Sequence, residues 1–420
     1  MRRIAGIVVI FMCLFALFSS MVFAGDREDI MDVVMKLKAM EKDNGRMRFD
    51  MDCIKNELAT MKSKSAAAAV PDGKTAMFAA LGIGFYGYIK TDLIYSDSQA
   101  AELTLSAPAA ETDDQKEFFI TAKESRLGMD ITGPRVGDSG KVIGKIEGDF
   151  WGNTSDGATT PGFRFRQAYI DLKFANWDVL AGQTWDFFAP LNPSTLHLGL
   201  LWQQGNIGDR HPQVRLTSKV CDFLGGTLTS QVGILDSKTD LQEHTGTPVV
   251  GVYESFEDEF FSQPLYIGAG GAYGQTNTST TITRDLDMWA VVLALKYKLT
   301  QKISLCSEGY LGAGLAAFRG GSATSVDDNK AIRTRGGFAQ LTYDPTAKLQ
   351  FNAGGGIDDV FSDSISTSVW SENYACFLNS KYKLAKNVTW GLEFMQVDTE
   401  YANQGGGDAL RFQSSLMFNF

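Results

Sequence analysis

The charged residues that could act chemically in this chain are not spaced like catalytic groups. They recur at every second position among apolar ones. Arg126 and Asp130 alternate with Leu127, Met129 and Ile131; Lys145, Glu147 and Asp149 with Ile146, Gly148 and Phe150. Arg164 and Arg166 alternate with Phe163 and Phe165; Arg215, Thr217 and Lys219 with Val214 and Leu216. Successive side chains of an extended strand point to opposite faces, so each run carries its charge on one face and its grease on the other. Charges gathered on one surface attract or repel ions; they do not make bonds. At a narrow point in a pore they set selectivity.

Bond-making chemistry has little support. The three histidines, His197, His211 and His244, have neither metal-ligand spacing nor an i,i+4 partner. A Ser–His hydrolase would need a serine in a suggestive context, and none stands out, so no enzyme, cofactor or metal site is expected. The cysteines beyond residue 24, Cys53, Cys221, Cys306 and Cys376, are far apart without a CxxC. They read as isolated small apolar residues.

The elements that would position these charges are strands. From Gly84 onward, segments of about ten residues alternate apolar and polar between turn signals, the mark of a membrane β-barrel. In the closing segment Leu410, Phe412, Ser414, Leu416, Phe418 and Phe420 oppose Arg411, Gln413, Ser415, Met417 and Asn419. Val388, Trp390, Leu392 and Phe394 repeat the pattern, as do Trp289, Val291, Leu293, Leu295, Tyr297 and Leu299. Tight connections at residues 300–302, 344–347 and 384–387 alternate with long ones at 315–332, 359–369 and 399–407. Short turns face the periplasm in such barrels and long loops face outside. Sixteen strands are predicted, beginning near Phe85, Phe118, Val142, Phe163, Trp177, Gln213, Thr227, Val249, Leu265, Met288, Ile303, Thr334, Leu349, Trp370, Val388 and Ala409. Composition agrees: 43 glycines and 28 phenylalanines against 10 prolines, with a mean hydropathy of -0.10, too low for a bundle of membrane helices.

The N-terminal part has another texture. Arg2 and Arg3, the apolar run Ile4 to Phe18 and Val22-Phe23-Ala24 read as a signal peptide over residues 1–24. Loss of its two arginines from 39 basic residues leaves 37 against 49 acidic, a net of about −12 that argues against nucleic acid. Residues 25–62 place Ile30, Val33, Leu37, Met40, Met47, Met51, Ile54, Leu58 and Met61 at alternating spacings of three and four, a coiled-coil heptad with Asn44 in one core slot. Residues 63–82 are an Ala- and Ser-rich linker, and 83–420 the barrel. The stalk and linker occupy the whole stretch before the barrel, which argues against a plug and hence an energy-coupled transporter.

One region breaks the alternation. Residues 186–210 are too long and mixed for a turn, with Asp186-Phe187-Phe188-Ala189-Pro190-Leu191-Asn192-Pro193 and Leu198-Gly199-Leu200-Leu201-Trp202. A loop this apolar is expected to fold back into the lumen and narrow it. Arg126, Arg166, Arg210 and Arg215 on the wall would then face Asp186 on the loop, with Lys145 on the third strand and Arg164 beside Arg166 as further pore candidates. The competing reading has some of these arginines in outer loops, or paired structurally with Asp130, Asp171 or Asp209. A further irregularity puts Tyr169, Asp171 and Lys173 on the lipid-facing parity.

Together, the heptad stalk and the segments Gly87-Tyr88-Ile89-Lys90-Thr91-Asp92, Ser125-Arg126-Leu127-Gly128, Phe163 to Ile170, Ala181-Gly182-Gln183-Thr184-Trp185 and Pro212-Gln213-Val214-Arg215 resemble the DcaP-like outer-membrane porins. The resemblance runs from the stalk to about Thr217. It implies a homotrimer of 16-stranded barrels with a periplasmic coiled coil, an arginine-bearing constriction, and small anions such as dicarboxylates as solutes. Arg126, Arg166, Arg210 and Arg215 would be pore residues, and the lipid-facing Tyr169, Asp171 and Lys173 would be covered by a neighbouring barrel. Gln167 stands where such porins commonly have a His, so fine selectivity does not carry over. Expected partners are outer-membrane lipid and lipopolysaccharide, small anionic solutes and further copies of the chain. The alternative function is a structural or adhesive protein that tethers the envelope through its stalk.

Overall fold

The computed structural model describes residues 82–97, 116–137, 139–152, 161–223, 225–236, 246–277, 285–321, 325–327, 329–361, 365, 369–402 and 405–420. The signal peptide and coiled coil expected from the sequence, and all but the last residue of the expected linker, lie outside them.

The strands are β1 (Ile83–Ser96), β2 (Glu117–Thr121), β3 (Arg126–Val136), β4 (Gly140–Asp149), β5 (Arg164–Lys173), β6 (Trp177–Trp185), β7 (Arg210–Phe223), β8 (Gly226–Leu235), β9 (Val249–Phe260), β10 (Gln263–Asn277), β11 (Asp285–Lys298), β12 (Ile303–Ala313), β13 (Val326–Asp327), β14 (Lys330–Ala331), β15 (Arg333–Tyr343), β16 (Leu349–Val360), β17 (Trp370–Ala385), β18 (Val388–Tyr401) and β19 (Gly406–Asn419). β13 and β14 form a small hairpin of their own. β2 and β3 both pair with β1 and are two halves of one spanning strand, interrupted at residues 122–125. Each strand is antiparallel to its neighbour, and β19 pairs with β1 from Tyr88↔Asn419 to Ser96↔Arg411, which closes the sheet. The result is the expected antiparallel barrel of sixteen strands. Closure removes the edges that hydrocarbon could not hydrogen-bond.

Alternation decides which way the strands face. Phe85, Ile89 and Leu93 are exposed on the outer surface, while Lys90, Asp92 and Ile94 are buried within. Phe174 stacks on Trp177 with ring centroids 4.0 Å apart near one tight turn, and Phe260, Phe261 and Tyr297 cluster near others. Such aromatic rims suit a membrane interface. Both barrel ends, Ile83 and Asn419, lie at the short-turn end.

The parity of β5 departs from the expectation. Between Glu147 and Gly148 the β4–β5 register slips, so that Glu147 faces Gln167 and Gly148 faces Phe165, which leaves Arg166 as an extra residue. A β-bulge resets the alternation beyond it. Tyr169 therefore lies opposite inward-facing Lys145, Asp171 is buried, and Ile170 stands 57% exposed on the outside. Tyr169, Asp171 and Lys173 belong to the interior, so these residues are not a lipid-facing set for a neighbouring barrel to cover.

Candidate functional site

Between β6 and β7, residues 186–209 run through the inside of the barrel. Two anchors hold the base: Asp186 accepts from the Asp209 amide at 2.7 Å, and its carboxylate meets His211 Nδ1 at 2.8 Å. From there the loop crosses to the far wall. Glu308 on β12 accepts from the Leu191 amide (3.1 Å), Gln340 on β15 from Ser194 (2.6 Å), and Glu393 on β18 from Leu196 and His197 (2.7 and 3.0 Å). Lys90 on β1 donates to the Leu196 carbonyl at 2.7 Å, and Asn373 on β17 to that of Gln203 at 2.8 Å. Buried backbone groups need partners, and this loop finds them in side chains of the opposite strands. Gly205 fits only as glycine: its φ is +105°, and a Cβ there would sit 2.1 Å from the Gly337 carbonyl oxygen.

The apolar side of the loop packs against the inner faces of β9 to β11. Phe187, Phe188, Leu201 and Ile207 join Val249, Tyr253, Ala272, Met288, Ala290, Val292 and Ala294 in one buried cluster. Barrel interiors are ordinarily polar; here many inward residues of three strands are apolar, where the loop covers them. Water is thereby excluded from that side.

The wall from β3 to β5 keeps its charges partly open. Glu147 and Asp149 stand between three arginines. Arg166 bonds both, at 3.1 and 2.8 Å; Arg164 bonds Asp149 at 2.6 Å; Arg126 lies 3.7 Å from Glu147. Three guanidinium groups on two carboxylates leave one positive charge in surplus. Arg166 is buried by these contacts, but the Arg126 and Arg164 side chains remain 21% and 34% exposed. Lys145 is neutralised by Asp130 at 2.8 Å and also donates to the Tyr86 hydroxyl at 3.0 Å. Rings stack beside the cations: Arg126 over Tyr88 at 5.1 Å, Arg210 over Trp185 at 4.9 Å.

Some expected site residues play other parts. Asp186 is fully buried on His211 and the Asp209 amide, so it faces no arginine across a passage; Glu147 and Asp149 are the acidic partners instead. Arg210 pairs with Asp209 at 2.9 Å, and Arg215 is held against Gln213 at 3.5 Å and Phe187 at 5.9 Å. His197 and His211 are both buried. Residues to which the sequence assigned no role include Glu393, Glu308 and Lys90; their signals were polarity at inward positions and, for Lys90, its place in the Gly87 to Asp92 segment. Among the described residues no group of three or more His, Cys, Asp or Glu is placed to hold a metal ion, and Cys306 and Cys376 are free thiols.

The model of the DcaP outer membrane protein family matches residues 45–327, well past the segments that carried the resemblance. No curated protein matches the chain. Among solved structures, the outer membrane channel DcaP of Acinetobacter baumannii is similar at 22% identity, over 80% of this chain and 97% of that one, with a TM-score of 0.66. An anion-selective porin from Comamonas acidovorans shares the fold at 15% identity, over 80% and 99%, TM-score 0.56. So does OmpT of Vibrio cholerae in its trimer form, at 15% identity, over 80% and 99%, TM-score 0.53. The chain belongs to the DcaP outer membrane protein family, and it is an outer-membrane channel protein built as a porin barrel.

Proposed function

We propose that the protein is a passive diffusion porin favouring small anions, dicarboxylates among them, and that residues 186–209 form its constriction. One observation carries the reading. Apolar packing and hydrogen bonds bury the loop against the β9–β19 side, while the β3–β5 wall keeps Arg126 and Arg164 partly exposed in a cluster with one surplus positive charge. Solute would pass along that wall. Screening cuts off beyond about 8 Å at physiological salt, so the net charge of the whole chain matters little and these few groups decide.

Arg126, Arg164, Arg166, Lys145, Arg210 and Arg215 keep unequal parts in this proposal. Arg126 and Arg164 meet the solute. Arg166 fixes the acidic pair, Lys145 is balanced by Asp130, and Arg210 and Arg215 hold the root of the loop and the β7 wall. A homotrimer is proposed on the family resemblance. The stalk read over residues 25–62 is proposed to lie in the periplasm, because β1 starts at the short-turn end.

Reversal potentials of the purified full-length protein in planar bilayers under a KCl gradient test the selectivity. The wild type should favour chloride. Replacing Arg126 and Arg164 by Glu changes the cluster from one surplus positive charge to three negative, and should invert the preference. A silent wild type, a strong cation preference, or an unchanged potential in the double variant would sink the reading.

A further inference from the structure

A second loop folds into the same barrel, and nothing in the sequence reading set it apart from the other long outer loops. After β12, residues 314–321 turn inward through a short 3-10 segment, Ala316–Phe318. Phe318 is fully buried, with its ring 5.1 Å from that of Phe188 and 4.8 Å from that of His211. Its carbonyl accepts from the Gly208 amide at 2.7 Å, and the next carbonyl, of Arg319, accepts from Gln203 at 2.8 Å. The Gly321 amide donates to Asp358 and to the Tyr310 hydroxyl, both at 3.0 Å. The second loop is thus clamped between the first loop and the wall.

The clamp presents one cation. Arg319 Nε bonds Asp209 at 2.8 Å, and its guanidinium lies 5.2 Å from the Trp202 ring. Asp209 already holds Arg210 at 2.9 Å, so the trio of two arginines and one carboxylate has a surplus positive charge. Arg210 is buried; Arg319 is 44% exposed, more than Arg126 or Arg164. Its backbone is also unusual for its type. Arg319 holds a left-handed φ of 63°, a conformation that glycine adopts freely and arginine does not, with Gly320 and Gly321 immediately beside it. Strained positions of this kind gather at sites where the side chain matters.

We propose that Arg319 is a selectivity-determining residue that contacts the passing anion, so that the constriction is built from two loops rather than one. This rests on the anion-channel reading above. The solute would meet Arg319 on the loop side and Arg126 and Arg164 on the wall side.

The test uses the full-length protein in planar bilayers and reads the anion-to-cation permeability ratio. Arg319→Gln should lower the ratio about sevenfold, because one charge ~7 Å from an ion in water changes the anion and the cation each by about 2.7-fold, in opposite senses. Arg319→Glu should lower it further, and Arg319→Lys should keep it. Arg319→Gly relieves the left-handed backbone as it removes the charge, so it should fold at least as well and match Arg319→Gln in the ratio. As a second handle, Arg319→Cys labelled with a cationic thiosulfonate should regain the ratio, and with an anionic one should lose more, against labelled wild type as the control for native cysteines. An unchanged ratio in Arg319→Gln, or equal changes in the Gln and Lys variants, overturns the proposal and leaves Arg319 as a clamp only. A wild type without anion preference overturns the anion-channel reading instead, and the shift on Arg319→Glu still reports whether this residue meets the ion.

Discussion

Glu393 offers a direct measure of how firmly the inserted loop is seated. Its carboxylate accepts from the amides of Leu196 and His197 and from Asn379, at 2.7, 3.0 and 2.9 Å, and it is buried. Glu393→Ala leaves two buried amides without acceptors, and each such loss costs about 1–3 kcal/mol. Water entering the vacated space offsets part of it, so the lower half of the sum applies, about 3 kcal/mol. That is roughly a 150-fold shift toward the undocked loop, at about 1.4 kcal/mol per factor of ten. Lys90, Gln413 and Lys381 still hold Leu196 and Ser194 from other strands, so the loop stays mostly in place but opens more often. Native-state hydrogen exchange at the Leu196 and His197 amides should then accelerate by about two orders of magnitude, and single-channel records should show brief excursions above the wild-type conductance. Glu393→Gln keeps one accepting oxygen and should fall between. Exchange at these two amides within threefold of wild type would refute the reasoning, because the docking would then not depend on this carboxylate.

Two other outcomes follow from the same interior. Gly205→Ala places a methyl 2.1 Å from the Gly337 carbonyl oxygen in a conformation alanine disfavours, so the loop should fail to seat and the mean conductance should rise. Arg166→Ala takes the surplus charge of its cluster to zero and strips one partner from each of two buried carboxylates. We expect a weaker anion preference and a loss of about 3 kcal/mol in denaturant unfolding, at the lower end of the cost of breaking a buried pair, because Arg126 and Arg164 remain.

Much of this molecule could be read from the residues, and the failures have identifiable causes. The period of two gave strand number, direction and closing partner, because a lipid-facing side chain is held to its face by hydrocarbon. The inward loop was legible through Phe187, Phe188, Leu200 and Leu201, which water outside would not favour. The bulge at Arg166 was not, since a single extra residue has no composition of its own and shows only as charges on the wrong parity further along. Asp186 was misread because a carboxylate beside an apolar loop looks alike whether it faces solute or closes a hydrogen bond to His211. Arg319 was missed because Gly314 to Gly321 reads as an ordinary glycine-rich connection, and its partners, Asp209 and Trp202, lie more than a hundred residues away.

The apolar inner face of β9 to β11 has a consequence for assembly. Val250, Val252, Val291 and Leu293 face outward on strands whose inner side is Val249, Tyr253, Met288 and Val292. Without residues 186–209 in place, this stretch of sheet would present apolar side chains on both faces, and hydrophobicity alone would not mark which one belongs to lipid. The loop precedes these strands in the chain, so it can supply the missing cue as they form. Residues 186–209 would then orient these three strands as well as cover their inner face.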